Sequence, residues 1–429
     1  MAWIAIPAAV GTLRISDAIP LTKSPEAERQ TMQGALGILL LMATLGGAIT
    51  IVVPGASRFV SLNDNPWLFS IGFAFVAATG ISRIAVMLAT KHGWFNWIAT
   101  LGIAFPAGTF VGQFIAWRLG GTLVEGSILG AALAAAPAAC LLARRPPSFR
   151  AWPLAVRAVL INFPEFARLA VPFAAIDTLR IRVPYLIAGL PSSGVGAAHV
   201  GYLQQAERVS GWPRMGLSAI LRPLYQHAAA RDHVSAASQA TDITIRMLVV
   251  ASGPVAWAVL NAAPLIRVVL GPGWEGAVTP FRLLLAPAVV FVAADFTDRL
   301  FDMHRRQGLL LAISVAACLT TVVGSVLFAL FYPSLNGIAL TLGGVMLAYS
   351  AAVIFTIGTL GGVAWRPYRR PALALVFNAA LVLVIQYVVE YAAVGLGVAS
   401  SALLALLLAA IAWRSPLVQK PPTSEPTTR

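Results

Sequence analysis

The chain alternates between apolar segments of about 20 residues and short polar connections. A helix of about 20 apolar residues crosses the ~30 Å hydrocarbon core of a bilayer, and the period-2 alternation of membrane β-barrel strands is not evident. The pattern therefore predicts an all-α polytopic membrane protein with about 12–13 transmembrane helices. The predicted spans are 1–14 (partial), 34–54, 67–90, 95–117, 121–143, 168–190, 197–225, 244–270, 278–300, 308–332, 335–361, 371–391 and 393–413.

The connections between these spans alternate in charge. The basic set comprises TKSPEAERQ, TKHGWFN, ARRPPSFRAWPLAVR, HAAARDHVSAASQATDITIR, DRLFDMHRRQG, AWRPYRRP and the tail from Arg414, whereas the intervening connections are nearly free of Lys and Arg. Cytoplasmic connections of membrane proteins carry an excess of Lys and Arg. The basic set and the C-terminus are therefore predicted to be cytoplasmic.

The amino-acid composition supports a membrane protein and limits the classes of partner that we expect for it. Of the 429 residues, 59% are hydrophobic and 11% are charged, and the mean hydropathy is +0.81. In a soluble protein the net charge of +14 would suggest a nucleic-acid partner, but here Lys and Arg lie mainly in the short connections. We expect anionic phospholipids, and not nucleic acid, to interact with this charge.

The longest basic connection, 144–167, divides the chain into two halves. Its apolar residues alternate with Arg150, Arg157 and Glu165, which predicts an interfacial amphipathic helix; an extended linker is the alternative. The predicted parts are an N-terminal bundle with an incomplete first hairpin, 1–143; the basic amphipathic cytoplasmic linker, 144–167; a C-terminal bundle, 168–361; two additional helices, 371–413; and a disordered cytoplasmic tail, 414–429.

Signatures of catalysis and of metal binding are absent from the sequence. It contains no HExxH, Walker A or CxxC motif, and its five histidines are scattered. The two cysteines, Cys140 and Cys318, lie in apolar segments and are expected to be buried core residues. We therefore expect neither an enzyme nor a cofactor or metal site.

Ionisable residues inside the predicted spans are the strongest functional signal, because a charge at membrane depth costs several kcal/mol. Span 168–190 contains Asp177, Arg180 and Arg182. Asp177 and Arg180 are three residues apart and can pair on one helical face, which leaves Arg182 without a local partner. The pair has a structural or a coupling role, and Arg182 is the stronger candidate for binding a substrate.

The following span adds further polar groups. Arg208 and Arg222 lie on nearly the same helical face, and Gln204 and Gln205 lie one turn before Arg208. Glu207 is expected to pair with a neighbouring arginine. This span therefore extends the set of candidate binding residues.

Two aspartates lie near the cytoplasmic end of span 278–300. Asp295 and Asp298 precede Arg299, so they are either solvated or paired there, or they take part in transport. A bundle interior richer in arginine than in carboxylate implies an anionic cargo, because a desolvated guanidinium needs a counter-charge and matches phosphate geometry. A lipid pyrophosphate that carries a sugar chain meets this requirement.

Several diffuse motifs in the second half resemble one known family. They are Asp177 in the first span of that half, the run VGYLQQAERV, Pro223 at the end of the same span, and a loop in which Gly273 and Trp274 precede a Leu-rich span. This combination resembles the Wzx-type polysaccharide flippases. They belong to the MOP exporter superfamily, which also contains the lipid II flippases and the MATE multidrug exporters.

The resemblance implies an architecture and a mechanism. Members have two pseudo-symmetric six-helix bundles that face a central cavity and rock between inward and outward openings, and longer members carry two extra helices. Because this chain opens within what would be the second span, either its start is misassigned or its first bundle lacks a helix. The cargo implied is an undecaprenyl-diphosphate-linked oligosaccharide, with polysaccharide polymerase or export machinery as a further partner. The cavity candidates are Arg180, Arg182, Gln204, Gln205, Arg208 and Arg222.

Two other functions stay open at this point. A MATE-like, cation-coupled exporter of small molecules would depend on Asp177 or Asp295. A non-transporting scaffold of a glycan-assembly complex would tolerate substitution of every charge named above. The leading hypothesis is a flippase for saccharide repeat units of exopolysaccharide or O-antigen.

Overall fold

A computed structural model describes seven segments of the chain, which contain helices and turns and no strand. They are residues 11–52, 66–121, 123–144, 152–190, 195–211, 233–297 and 299–363. The described residues form two compact units, an N-terminal unit that ends at Leu179 and a C-terminal unit that begins at Arg180. The boundary falls within one long helix.

The N-terminal unit is built from long apolar helices and one short 3-10 helix. Its elements are the 3-10 helix η1 (Ile15–Leu21), α1 (Pro25–Val52), α2 (Pro66–His92), α3 (Phe95–Arg118), α4 (Leu123–Ala143), α5 (Trp152–Asn162) and α6 (Pro164–Gly189), the last of which continues into the C-terminal unit. The side chains of Ile15, Ala18 and Ile19 in η1 are fully buried in the core that α1 and α2 form.

Helix α1 begins earlier than its apolar pattern predicts, at Pro25 and not at residue 34. The hydroxyl of Ser24 accepts a hydrogen bond from the amide of Ala27 at 3.1 Å. Ser before the first turn, Pro at the first helical position and acidic residues in the first turn all favour a helix start. The polar connection TKSPEAERQ is therefore partly helical.

Helices α3 and α4 approach each other at glycines. A Cβ atom added to Gly130 would lie 2.5 Å from the carbonyl oxygen of Gly108, and one added to Gly112 would overlap backbone atoms of Gly126 and Gly130. Small residues spaced four apart let helix backbones come close in a bilayer, where apolar contact with lipid competes with apolar contact between helices. Beside this contact, the amide of Gln113 donates to the Ser127 hydroxyl at 3.1 Å.

The connection between the two predicted bundles, 144–167, is mostly helical from Trp152 onward. In α5, Ala155 and Val159 are buried against α1, while Leu154 and Ile161 are exposed. The axis bends by 83° between α5 and α6. An exposed apolar edge on a short helix that turns sharply is consistent with a position at the membrane interface.

The C-terminal unit packs around a second apolar core. Its elements after α6 are α7 (Ala197–Ser210), α8 (His233–Leu260), α9 (Ala262–Leu270), the 3-10 helix η2 (Glu275–Ala277), α10 (Val278–Thr297), α11 (Arg299–Met303), α12 (Gln307–Leu330) and α13 (Leu335–Leu360). Leu203 and Ala206 of α7 and Leu284 of α10 are among the buried residues of this core.

Two motifs that carry the family resemblance contact each other in this unit. The hydroxyl of Tyr202 donates to the carbonyl of Gly273 at 3.4 Å, and the Tyr202 ring meets the Trp274 ring edge-on at 5.8 Å between centroids. Gly271 and Gly273 have positive φ angles of 90° and 95°, which side chains rarely tolerate. The glycines thus shape the loop that packs on Tyr202.

The predicted spans agree with the helices in most places. Within the described residues, eight helices are long and apolar enough to cross a membrane, or nine if α5 and α6 form one broken span. The predicted span 244–270 is wrong in its bounds: α8 starts at His233, and the helix breaks at Asn261, whose side-chain amide donates to the Trp257 carbonyl at 2.9 Å. Cys140 is exposed, contrary to prediction, and Cys318 is buried as predicted.

Five predicted segments lie wholly or in large part outside the described residues. They are residues 1–10 of the first partial span, residues 212–225 of the seventh, both spans within 371–413, and the tail 414–429. The assignments made for them stay predictions. The chain as described is an all-α multi-pass membrane protein.

Replacing Gly112 with Val tests the α3–α4 contact. The added side chain would collide with the backbone of α4, and overpacking of this kind costs about 1–3 kcal/mol or more. We expect a lower temperature of thermal unfolding for detergent-purified Gly112→Val, measured by light scattering or fluorescence. Gly102→Val is the matched control, because a Cβ at Gly102 on the same helix has no atom within 4 Å. Equal melting of the two variants would contradict the contact.

Candidate functional site

Helix α6 carries three of the predicted site residues. Arg180 lies nine residues before the end of α6 at Gly189, about 14 Å along the helix, which is close to the middle of a span. Asp177 is exposed, whereas Arg180 and Arg182 are partly buried. A salt bridge between Asp177 and Arg180 stays a prediction.

Two aromatic rings hold the guanidinium of Arg180. Its Cζ atom lies 4.8 Å from the ring centroid of Tyr349 on α13 and 5.3 Å from that of Phe291 on α10. The two rings are themselves 5.6 Å apart. Cation–π contacts stabilise a guanidinium by about 0.5–2 kcal/mol each, and they orient the group without neutralising its charge. Sequence reasoning missed both rings, because they come from distant segments.

Helix α7 places its polar residues on the side opposite its core face. Leu203 and Ala206 are buried, while Gln204 and Arg208, four residues apart, are exposed on one face. Gln205 is partly buried. The segment VGYLQQAERVS is therefore an amphipathic helix, with a buried apolar face and a polar face that can meet water or a ligand.

A hydrogen bond joins α6 to α7. The hydroxyl of Tyr185 donates to a carboxylate oxygen of Glu207. Sequence reasoning expected an arginine beside Glu207, which stays a prediction, and it did not single out Tyr185. Arg182 lies three residues before Tyr185, so the two side chains share a helical face.

Arg182 is partly buried and Arg208 is exposed. Among the residues that the structure describes, no carboxylate pairs with Arg182 or with Arg208. A desolvated guanidinium without a counter-charge is unfavourable, and its five N–H donors match the oxygens of phosphate. These arginines can therefore bind an anion without first breaking an internal ion pair.

Carboxylates elsewhere are neutralised by cations, and sequence reasoning missed these clusters. Asp17 of η1 is 2% exposed and receives two hydrogen bonds from Arg83, Nε to Oδ1 at 3.2 Å and Nη2 to Oδ2 at 2.7 Å. Arg14 is a further cation 3.5 Å from Asp17, and its guanidinium stacks on the Phe173 ring at 4.5 Å. Asp17 thus anchors the 3-10 helix to α2.

A second cluster joins the first turn of α1 to the last turn of α2, about two turns along α2 from Arg83. Glu28 of α1 accepts from Lys91 at 2.9 Å and contacts His92 at 3.0 Å, and Lys91 also donates to the Thr22 hydroxyl. Both connections involved, TKSPEAERQ and TKHGWFN, belong to the set predicted for one side of the membrane. Because both connections are predicted on the same side of the membrane, the sequence does contain a signal from which this cluster could have been predicted.

One ion pair lies inside helix α8. Arg246 and Asp242 are one turn apart, with 2.7 Å between Nε and Oδ2, and both are partly buried. Sequence reasoning assigned this segment to a connection and so gave the pair no role. Asp242 already has a cationic partner, which makes it a weaker candidate for binding a cargo cation.

The remaining predicted site residues are not placed by the structure. Arg222 and Asp298 lie outside the described residues, and for Asp295 only the backbone, within α10, is described. Within the described segments, no group of three or more His, Cys, Asp or Glu side chains gathers in a metal-binding arrangement.

Comparison with known proteins supports the fold. No protein-family model matches the sequence, and no curated protein matches it significantly. Among solved structures, the lipid II flippase MurJ in an inward closed conformation aligns with a TM-score of 0.62 and 13% identity, covering 96% of this chain and 88% of that one. The Vibrio cholerae MATE transporter VcmN in its bent form aligns with a TM-score of 0.56 and 13% identity, over 83% and 85%. The chain therefore has the fold of the MOP exporters, as the resemblance implied.

Arg83→Ala tests the buried ion pair at Asp17. Removing the guanidinium takes away the two hydrogen bonds that Asp17 accepts from Arg83, and breaking a buried pair costs about 3–5 kcal/mol. Since Arg83 itself is 30% exposed, we expect the lower end of that range. The measurement is thermal unfolding of the detergent-purified protein, with Arg118→Ala, an exposed arginine of α3, as control.

A second substitution separates charge from packing at this site. The double variant Asp17→Asn, Arg83→Gln removes both charges and should recover most of the lost stability. If Arg83→Ala melts with the wild type, the pair does not stabilise the N-terminal unit.

Proposed function

We propose that this chain translocates undecaprenyl-diphosphate-linked oligosaccharide repeat units across the bacterial inner membrane, for exopolysaccharide or O-antigen biosynthesis. The observation that carries the proposal is that Arg182 and Arg208, on two consecutive helices of the C-terminal unit, have no carboxylate partner among the described residues. Arginines at membrane depth are costly and usually serve a substrate pathway.

The chemistry of these residues suits a diphosphate. Each guanidinium can bind two phosphate oxygens at once, and such charge-assisted pairs are about twice as strong as neutral hydrogen bonds. Arg180 adds a third positive charge, which Phe291 and Tyr349 hold in place. The amide of Gln204, on the same face as Arg208, supplies a donor and an acceptor that suit saccharide hydroxyl groups.

One of the solved structures that share the fold supports transport of a lipid-linked cargo. The first is by name a flippase of lipid II, and the second is a MATE transporter. In this account, alternating access moves the cargo by rocking of the two bundles, with Arg180, Arg182 and Arg208 in contact with the diphosphate. Arg222 and Gln205 would extend the same site. Asp177, Glu207, Asp295 and Asp298 would act as ion-pair or coupling groups.

Cation-coupled efflux of small molecules is the second candidate, and the similarity to a MATE transporter favours it. It requires a carboxylate that a proton or cation can occupy, with Asp177 and Asp295 as candidates. A deletion strain would then change its sensitivity to cationic dyes, and surface polysaccharide would be unaffected.

A non-transporting scaffold predicts that all charge substitutions keep polysaccharide at normal levels, provided that the protein is present in the membrane.

Substitution of Arg182 and Arg208 tests the leading proposal. In a deletion strain complemented with Arg182→Ala or Arg208→Ala, we expect surface polysaccharide to fall by about tenfold or more, because each hydrogen bond to a charged group contributes about 1.5–3 kcal/mol. Membrane abundance of the variants, measured by immunoblot, should stay normal. Arg→Lys at each position keeps the charge and should restore part of the polymer.

A matched control comes from a surface arginine of the same unit. Arg267 on α9 is 69% exposed and pairs with Glu275 at 3.0 Å, so Arg267→Ala should leave polysaccharide unchanged. Normal levels of surface polysaccharide in both the Arg182→Ala and the Arg208→Ala variants would contradict a mechanism in which arginines bind the diphosphate.

A further inference from the structure

A cavity of about 650 Å³ lies at one end of the N-terminal unit, apart from the proposed cargo site. It is lined by residues 93–97, which form the turn from α2 into α3, and by Leu141 and Arg144 at the end of α4. Cavities of this volume accommodate small-molecule ligands or parts of larger ones. The two connections that meet here, TKHGWFN and ARRPPSFRAWPLAVR, are both in the basic set predicted to face the cytoplasm.

The lining combines aromatic rings with a cation. The guanidinium of Arg144 lies over the ring of Trp97, with Cζ 5.3 Å from the centroid, and its side chain is exposed. Trp94 stacks on His92 with 4.7 Å between centroids and an angle of 18°. Tryptophan prefers the level of lipid headgroups, where its ring meets acyl chains and its N–H meets polar groups.

The charge of the cavity is positive. Among the described residues, no carboxylate lines the cavity, and Arg145 follows Arg144 directly in the sequence. The acidic residue next to this region, Glu28, contacts Lys91 and His92. The same His92 supports Trp94, so the Glu28 cluster holds one wall of the cavity in position.

We propose that this cavity binds the phosphodiester headgroup of an anionic phospholipid of the surrounding leaflet. Arg144 contacts the phosphate, and Trp94, Phe95 and Trp97 contact the glycerol and the first acyl carbons. Basic pockets between membrane helices on the cytoplasmic side are suited to such headgroups, since the leaflet supplies the anion at high local concentration. The proposal concerns the N-terminal unit alone and does not rest on the proposed function.

Native mass spectrometry of the purified protein tests this site. The protein is titrated separately with phosphatidylglycerol, which is anionic, and with phosphatidylcholine, which is zwitterionic, and the number and affinity of bound lipids are recorded. We expect preferential binding of phosphatidylglycerol, and Arg144→Ala should weaken it about fivefold, the effect of one basic residue at an anionic surface. Arg144→Lys should give an intermediate affinity, because it keeps the charge and loses the planar contact with Trp97.

Arg118→Ala is the matched control. Arg118 ends α3, the helix that contains Trp97, and its guanidinium likewise lies over aromatic rings, 5.1 Å from Trp117 and 5.5 Å from Phe114. This variant should keep the affinity of the wild type for phosphatidylglycerol. The proposal is overturned if Arg144→Ala binds phosphatidylglycerol as tightly as the wild type, or if Arg118→Ala loses as much affinity.

A competition arm identifies the source of the phosphate. Soluble glycerol phosphate at the same concentration as the lipid should not displace phosphatidylglycerol, because the acyl chains contribute to its binding. Equal displacement would mean that the cavity takes a free phosphate and would overturn the assignment to a lipid. Both arginine variants change exposed side chains, and their unfolding temperatures should match that of the wild type.

Discussion

A charge inside hydrocarbon has to be paired, stacked or exposed to water, and several charged side chains in the described segments meet that constraint by pairing or stacking. In the N-terminal unit the answer is pairing: Arg83 holds Asp17, and Lys91 and His92 hold Glu28. In the C-terminal unit the guanidinium of Arg180 lies over two aromatic rings, and Arg182 and Arg208 have no carboxylate partner in the part of the chain that the structure describes. The difference makes the second unit the better place for an anionic cargo.

The ion pairs also organise the backbone around them. The 3-10 helix containing Asp17 packs on α1 and α2, and the first turn of α1 is joined to the last turn of α2 through Glu28. From there, His92 positions Trp94 at the rim of the basic cavity. Where helices lack polar links, as along most of α3 and α4, glycines allow close backbone contact instead. Polar and small residues thus determine which helices contact each other, and the apolar majority makes the helices soluble in lipid.

Apolar segments predicted from the sequence correspond well to the helices, because length and hydropathy are local properties. Helix starts were less predictable: α1 begins in a polar stretch, where Ser24 caps it and Glu28 has distant partners. The candidate arginines are predictable from their positions inside the predicted membrane spans alone. The partners of the charged groups are not predictable in this way. A single sequence has no signal for a contact between residues that lie far apart along the chain. Three such contacts join Asp17 to Arg83, Arg180 to Tyr349, and Glu207 to Tyr185.

The central claim is that the arginines of α6 and α7 select a cargo by its negative charge. Its most direct test is the affinity of the purified protein for undecaprenyl diphosphate, compared with undecaprenyl monophosphate and with the uncharged alcohol undecaprenol. The account predicts that affinity rises with charge, with the diphosphate bound about tenfold or more tightly than the alcohol. Equal affinity for the diphosphate and the alcohol would contradict it, since binding would then depend on the polyprenyl chain alone.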